Sequence, residues 1–167
     1  MAFGDFTLAS GMRSSYFIDG KQATLDAEGS YCLARLILAE IEEDGVTAVG
    51  GMTMGADPII GATLGVAASM GKSLRGFIVR KERKERGMTD QVAGPLRDGD
   101  RVVMLEDVVT TGGMTLKAIE AVENERDVDI VKVIAMVDRL QGAQEAIEAE
   151  GFELQSVFTI AELGVVV

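Results

Sequence analysis

The segment Glu106-Asp107-Val108-Val109-Thr110-Thr111-Gly112-Gly113-Met114 combines two carboxylates with a turn rich in threonine and glycine. An apolar run, 102–105, precedes it, so the two acids are expected to end a buried strand, and apolar residues at helical spacing follow the turn. A glycine turn between a strand and a helix forms a phosphate cradle, because backbone N–H groups and the helix dipole converge there. Carboxylates suit ribose hydroxyls better than phosphate. The segment therefore predicts a sugar-phosphate site; the alternative is a plain turn with solvated acids.

A second segment whose residues could take part in binding or catalysis is the basic run Arg80-Lys81-Glu82-Arg83-Lys84-Glu85-Arg86-Gly87. It lies at the start of a stretch, 81–100, that shows no apolar periodicity. Loops longer than about 12–15 residues inside compact domains are usually lids or binding loops. A basic lid on an acidic chain indicates a multiply charged anion such as diphosphate. The alternative is a solvated helix, in which Glu82 and Arg86 would pair four residues apart.

The composition excludes several classes of function. The chain has 16 basic and 27 acidic residues, a net charge of −11, which argues against general nucleic-acid binding. It has no histidine, which removes histidine-based catalysis and most zinc sites. Its one cysteine, Cys32, excludes an internal disulfide and fits a reducing cytoplasm. No apolar run approaches the ~20 residues that span a bilayer, so no membrane association is expected.

These segments need a scaffold, and the order of predicted elements supplies one. Two short extended pieces in 6–19 open the chain, and strands are predicted over 46–49, 74–79, 102–105, 130–137 and 154–158. Helices are predicted between them: one begins after Asp26 as its N-cap and runs to Asp44-Gly45, and others cover 59–70, the stretch after Gly113, and 143–149. Alternating strands and helices predict an α/β fold with a doubly wound parallel sheet, in a single domain over 1–167.

Four polar or glycine pairs fall at the carboxyl ends of predicted strands. They are Gly50-Gly51, Arg80-Lys81, Glu106-Asp107 and Asp138-Arg139. Ligands of parallel sheets bind beyond the carboxyl ends of the strands. The four pairs are therefore predicted to meet around one binding site.

The acid pair and the loop after it resemble the phosphoribosyl-diphosphate motif of the type I phosphoribosyltransferases. An ordered set of further segments is similar to the orotate phosphoribosyltransferases among them: 6–11, 15–19, 50–58, the basic run, Gly94-Pro95-Leu96 and 137–139. The similarity extends from about residue 6 to the C-terminus. It implies the fold of that family with a small N-terminal hood over 1–25, and the family's N-terminal helix is expected to be missing.

The resemblance implies an enzyme, a Mg²⁺-dependent pentosyltransferase that converts orotate and 5-phosphoribosyl 1-diphosphate to orotidine 5′-phosphate and diphosphate in pyrimidine biosynthesis. It implies a cytoplasmic homodimer. Mg²⁺ would be held mainly by substrate oxygens, with no direct protein ligand. Two alternatives stay open: a phosphoribosyltransferase for another base, and a non-catalytic regulatory or ligand-binding protein on this fold.

The resemblance also implies a role for each matching residue. Glu106 and Asp107 would face the ribose hydroxyls, and the backbone from Val108 and Val109 leads into the loop Thr110, Thr111, Gly112, Gly113 and Met114 around the 5′-phosphate. Arg80, Lys81, Lys84 and Arg86 would engage diphosphate, with Lys84 and Arg86 as the catalytic lid residues and Lys84 reaching into the partner's site. Thr110 and Arg139 would hold orotate, and Tyr16 and Phe17 would pack against its ring.

The chain departs from the family pattern at four of the matched positions. Arg86 stands where the lid commonly has histidine, which leaves a permanent charge that does not titrate near neutrality. Met114 replaces a small hydroxyl residue of the phosphate loop and removes a side-chain donor. Ala9 and Met12 stand where many members have basic residues, so weaker diphosphate binding is expected.

Overall fold

The computed structural model describes residues 2–7, 13–82 and 90–165. The strands are β1 (Ala2–Thr7), β2 (Arg13–Phe17), β3 (Ala48–Met52), β4 (Arg75–Val79), β5 (Val92–Ala93), β6 (Arg101–Val109), β7 (Asp129–Asp138) and β8 (Leu154–Thr159). The helices are α1 (Lys21–Thr24), α2 (Ala27–Glu40), α3 (Asp57–Ser69), α4 (Gly113–Glu125) and α5 (Ala143–Ala149).

The central sheet has six strands in the order β5-β4-β3-β6-β7-β8. All its neighbouring pairs are parallel except the short β5, which pairs antiparallel with β4 at one edge. β1 and β2 form a separate antiparallel pair, the hood expected at the N-terminus. The α/β prediction of a doubly wound parallel sheet is confirmed.

Strand β6 shows why the apolar runs have no alternation of polar and apolar residues. Val102 and Met104 belong to the core layer that contains α4 and α5. Val103 and Leu105 belong to the opposite layer, with α2 and α3. Because helices cover both faces of the sheet, both sets of side chains are buried.

The start of α2 follows from its capping residue. The Asp26 carboxylate accepts hydrogen bonds from the backbone N–H groups of Glu28 (3.0 Å) and Gly29 (2.9 Å). These donors have no partner within the helix, so the acid stabilises the first turn. The predicted N-cap is confirmed.

Several predictions about strand boundaries are wrong. Strand β3 begins at Ala48 and ends at Met52, so Gly50 and Gly51 lie inside the strand that they were predicted to follow. The acids do not end their strand: β6 continues to Val109, because its pairing with β7 extends from Glu106 opposite Ala135 to Val109 opposite Asp138. The stretch 81–100 is not free of regular structure either, since β5 lies within it and Ala93 pairs with Ile78 of β4. Long-range pairing therefore overrides the local pattern at these places.

None of the helices in the described part of the chain combines the length and apolarity that crossing a membrane requires.

Candidate active site

The site lies where the direction of winding of the sheet reverses. From β3 the chain moves to β4 on one side, and β6 then pairs with β3 on the other side. Such a switch point opens a crevice at the carboxyl ends of the two central strands. A cavity of about 630 Å³ lies there. It is lined by Lys21, Met52, Thr53, Met54, Gly55, Lys81 and the continuous segment 106–115.

The two acids of β6 contact different neighbours at this cavity, and their carboxyl groups also interact with each other. Glu106 Oε2 accepts a hydrogen bond from Thr115 Oγ1 at 3.2 Å, on the side of α4. Asp107 Oδ1 accepts one from the Val108 N–H at 2.9 Å, and its Oδ2 lies 3.5 Å from Lys21 Nζ. Both acids therefore present carboxyl oxygens to the cavity.

Glu106 has a perturbed acidity. Burial, reinforced by the neighbouring charge of Asp107, raises the pKa of Glu106 to about 8, and the hydrogen bond from Thr115 opposes this only in part. A carboxyl that holds its proton near neutrality can donate a hydrogen bond as well as accept one. Strongly perturbed carboxyl groups in a cleft are typical of functional sites.

The loop after the acids delivers backbone donors to the same cavity. Helix α4 begins at Gly113, and its N-cap residue Gly112 makes no side-chain capping bond. The first N–H groups of the helix are therefore not satisfied by a cap, and they lie where the loop lines the cavity. Met114 is 43% exposed and also lines the cavity, where its thioether adds no hydrogen-bond donor.

The loop between β3 and α3 forms the opposite wall. A Cβ atom at Gly55 would overlap the Asp107 carboxylate, with Oδ1 its nearest neighbour and Cγ 2.8 Å away. The backbone of this loop therefore lies directly against the acid, and a larger residue at 55 would require the Asp107 carboxylate to move. The Thr53–Met54 peptide in the same loop is cis.

Three residues predicted to bind orotate lie outside this cavity: Arg139, Tyr16 and Phe17. Arg139 follows β7, and its Nε donates to Tyr16 Oη at 3.1 Å, with the guanidinium 4.7 Å from the centre of the tyrosine ring. Both side chains are buried. Phe17 is exposed and lies 5.7 Å from the ring of Phe6. None of these side chains lines the cavity, so their contact with orotate stays a prediction.

The two described cations of the basic run, Arg80 and Lys81, differ in position. Lys81 lines the cavity. Arg80 does not: its guanidinium donates to the carbonyl of Asp90 at 2.9 Å, and its backbone carbonyl accepts from Gln91 Nε2 at 2.7 Å. Arg80 therefore joins the two ends of the segment that carries the rest of the run. Lys84 and Arg86 lie outside the described residues.

Sequence reasoning missed Lys21 and the contribution of Thr53, Met54 and Gly55 to the lining. The loop 50–58 resembles the family's segment, so the sequence did indicate that this part of the lining could be functional. Lys21 had none, because a single lysine after a turn is typical of any surface. Its place beside Asp107 depends on how the hood packs on the sheet.

The chain was compared with known proteins. No protein-family model matches it. It is 43% identical over 167 residues to the orotate phosphoribosyltransferase of Rhodopirellula baltica, covering 96% of this chain and 86% of the relative. The crystal structure of the Mycobacterium tuberculosis enzyme of that name with Fe(III) dicitrate has a TM-score of 0.83 at 38% identity, covering 98% and 91% of the two chains. The same enzyme with 5-phospho-α-D-ribosyl 1-diphosphate has a TM-score of 0.80 at 36% identity, covering 96% and 90%.

The identity extends over nearly the whole of this chain and most of each relative. Loop 110–114, the acid pair and the loop between β3 and α3 line one cavity, in a fold that superposes on these structures. The chain belongs to the orotate phosphoribosyltransferase family.

Proposed function

We propose that this protein transfers the phosphoribosyl group of 5-phosphoribosyl 1-diphosphate to orotate, forming orotidine 5′-phosphate and diphosphate. The observation that carries the proposal is the shared cavity, in which Glu106 and Asp107 lie beside the open N-terminus of α4. Carboxylates suit the ribose hydroxyls, and the N–H groups suit the 5′-phosphate. A relative of 36% identity has been crystallised with this same substrate.

The proposed mechanism follows from the charges that develop. As diphosphate leaves C1 of the ribose, the sugar becomes cation-like and the leaving oxygens gain negative charge. Lys81 lines the cavity, and Lys84 and Arg86 belong to the same basic run, so these cations would stabilise the leaving group. Exclusion of water would prevent hydrolysis of the activated sugar. The orotate nitrogen then bonds to C1 as the bond from C1 to the diphosphate oxygen breaks, and the nitrogen's proton passes to the diphosphate or to solvent. No protein nucleophile is needed.

A magnesium ion is proposed as the cofactor. The described residues include no cluster of three or more metal-ligating side chains, whereas Glu106 and Asp107 offer hard carboxylate oxygens in the cavity. This donor set fits a cation that is held mainly by diphosphate and ribose oxygens. When bound, Mg²⁺ neutralises charge on the leaving diphosphate. The protein's own part is to orient the ribose hydroxyls through the two acids.

For the base, Arg139 is the proposed partner of the orotate carboxylate, since guanidinium and carboxylate pair bidentately. Tyr16 orients that guanidinium through its hydroxyl. Thr110, at the start of the phosphate loop, and Phe17 complete the proposed set. Uracil and purines carry no such carboxylate, so this pairing would select orotate.

A homodimer is also proposed, with Lys84 of each subunit serving the partner's cavity. Its support is the resemblance of the basic run to the family's lid. Mixing Lys84→Ala subunits with Asp107→Asn subunits tests it. Each variant alone is expected to be inactive, and hybrid dimers should regain one working site. Failure to regain activity after verified subunit exchange would contradict the shared lid.

The function is tested by orotate consumption with phosphoribosyl diphosphate and Mg²⁺, repeated with Lys84→Ala. The expected result is turnover by the wild type and a large loss in the variant. Turnover with uracil or a purine base, but not orotate, would assign another base. Ligand binding without turnover on any base would indicate a non-catalytic protein.

A further inference from the structure

Lys21 is a cation of the cavity that belongs to none of the motifs above. Its Nζ lies 3.5 Å from Asp107 Oδ2. Among the described residues that line the cavity, only Lys21 and Lys81 carry positive charge. The Lys21 side chain is 44% exposed, whereas that of Asp107 is 15% exposed. Lys21 therefore lies at the mouth of the cavity, where an entering solute can reach it.

Three contacts place Lys21 at this position. Asp19 Oδ1 accepts the backbone N–H of Lys21 at 3.2 Å, and its Oδ2 accepts Gln22 Nε2 at 3.0 Å, which together start helix α1. Gly20 lies against the sheet, since a Cβ atom there would come within 2.9 Å of the Met136 methyl group. The small residue at 20 therefore lets the start of α1 lie close to β6 and β7, which brings Lys21 near Asp107.

The contact between Lys21 and Asp107 is weak in the absence of substrate. A pair at 3.5 Å with a partly exposed lysine is screened by water, and holding the long side chain costs rotamer entropy. Such a lysine can exchange its partner for a more highly charged anion. When the ribose hydroxyls donate hydrogen bonds to Asp107, they stabilise the charge of that carboxylate in place of the lysine.

The substrate class proposed above carries anionic groups at both ends of the ribose. The 5′-phosphate is served by loop 110–114 and the start of α4, where Thr115 donates to Glu106. Lys21 lies outside that loop, beside Asp107, whose carboxylate also faces Gly55. The anionic group left for Lys21 is the diphosphate on C1.

We propose that Lys21 is a substrate-binding residue that contacts the diphosphate group of phosphoribosyl diphosphate and neutralises Asp107 when the site is empty. The inference rests on the proposed function. Under this proposal a residue of the hood supplies part of the positive charge that binds diphosphate, and the basic run supplies the rest. Lys21 and Lys81 then approach the diphosphate from two different elements.

The experiment compares Lys21→Met, Lys21→Arg and the control Lys72→Met. Lys72 is a matched control because it also pairs with an acid, Glu42 at 2.9 Å, and lies outside the cavity lining. Calorimetric titration with inorganic diphosphate in Mg²⁺ buffer is expected to show about tenfold weaker binding by Lys21→Met. Binding of ribose 5-phosphate should change by less than about twofold, as expected for a group that Lys21 does not touch. Lys21→Arg and Lys72→Met should bind diphosphate like the wild type.

In steady-state assays the KM for phosphoribosyl diphosphate should rise in Lys21→Met, while the KM for orotate stays constant. Unchanged diphosphate affinity in Lys21→Met would overturn the inference. Equal losses for diphosphate and ribose 5-phosphate would also overturn it, because they would show that Lys21 only holds Asp107. A wild type without orotate turnover contradicts the proposed function instead, since the diphosphate titration needs no turnover.

Discussion

Arg139 donates from Nε to the Tyr16 hydroxyl at 3.1 Å, and its guanidinium stacks on the Tyr16 ring at 4.7 Å from the ring centre. This contact joins the hood to the carboxyl end of β7 across 123 residues of sequence. Both side chains are buried, so the guanidinium is held in one orientation. A cation oriented in this way is suited to binding a planar carboxylate.

Tyr16→Phe should therefore weaken orotate binding more than it weakens the fold. Loss of one hydrogen bond to a charged group is expected to cost about 1.5–3 kcal/mol, shared between stability and orotate affinity. The ring that stacks on Arg139 is kept. The measurements are the KM for orotate and the free energy of unfolding in urea. Tyr31→Phe, on the exposed face of α2, is the control; an unchanged orotate KM in Tyr16→Phe would contradict the prediction.

Gly55→Ala should impair substrate binding through Asp107. Because the new Cβ would overlap the Asp107 carboxylate, that acid has to move away from the ribose hydroxyls. We expect about a tenfold rise in the KM for phosphoribosyl diphosphate, which corresponds to about 1.4 kcal/mol. Gly65→Ala is the matched control, since nothing lies within 4 Å of its added Cβ on α3. That substitution should leave the KM unchanged and stabilise the helix by up to about 1 kcal/mol.

The perturbed acidity of Glu106 predicts how stability depends on pH. Its pKa rises from an ordinary 4.5 to about 8 on folding, so the folded protein binds this proton more tightly than the unfolded chain. Glu106 therefore lowers stability progressively as the pH increases from about 4.5 to about 8. The limiting slope for one proton is about 1.4 kcal/mol per pH unit.

Glu106→Gln removes this dependence. Relative to the wild type, the variant should gain stability as the pH of the urea titration is raised from about 5 to about 9. Glu123→Gln, at an exposed position of α4, serves as the control. A constant difference between Glu106→Gln and the wild type across this range would show that the carboxyl is not perturbed. Activity should fall in Glu106→Gln at every pH, because a ribose acceptor is lost.

Glu125 is expected to hold in place the residues that follow the basic run. Its carboxylate accepts the backbone N–H groups of Gln91 at 2.7 Å and Val92 at 3.0 Å, and Gln91 is in turn bonded to Arg80. Glu125→Ala leaves two N–H donors without this acceptor, which should lower the free energy of unfolding by about 2 kcal/mol. Faster amide exchange at 91 and 92 and a higher KM for phosphoribosyl diphosphate are expected. Glu125→Gln keeps one acceptor oxygen and should recover part of both effects, whereas Glu123→Ala should produce neither.

Much of the fold was predictable because its signals are local. The apolar runs of β6 and β7, the Asp26 cap and the glycine turn before α4 act within a few residues of themselves. The strand–turn–helix geometry of loop 110–114 was predictable for the same reason, since a strand, a glycine turn and a helix start are consecutive in the chain. The boundary of β6 was not, because its last residues are held by the register with β7.

The sequence determined the chemistry available at the site: two acids, a loop of backbone donors and a lysine from the basic run, in a chain without histidine. Only the tertiary structure decided which groups meet there. Lys21 reaches Asp107 from the hood, Glu125 of α4 holds Gln91 beside the edge strand β5, and the pKa of Glu106 depends on burial. These effects depend on distances between residues far apart in the chain, and such distances exist only after the strands have taken their order in the sheet.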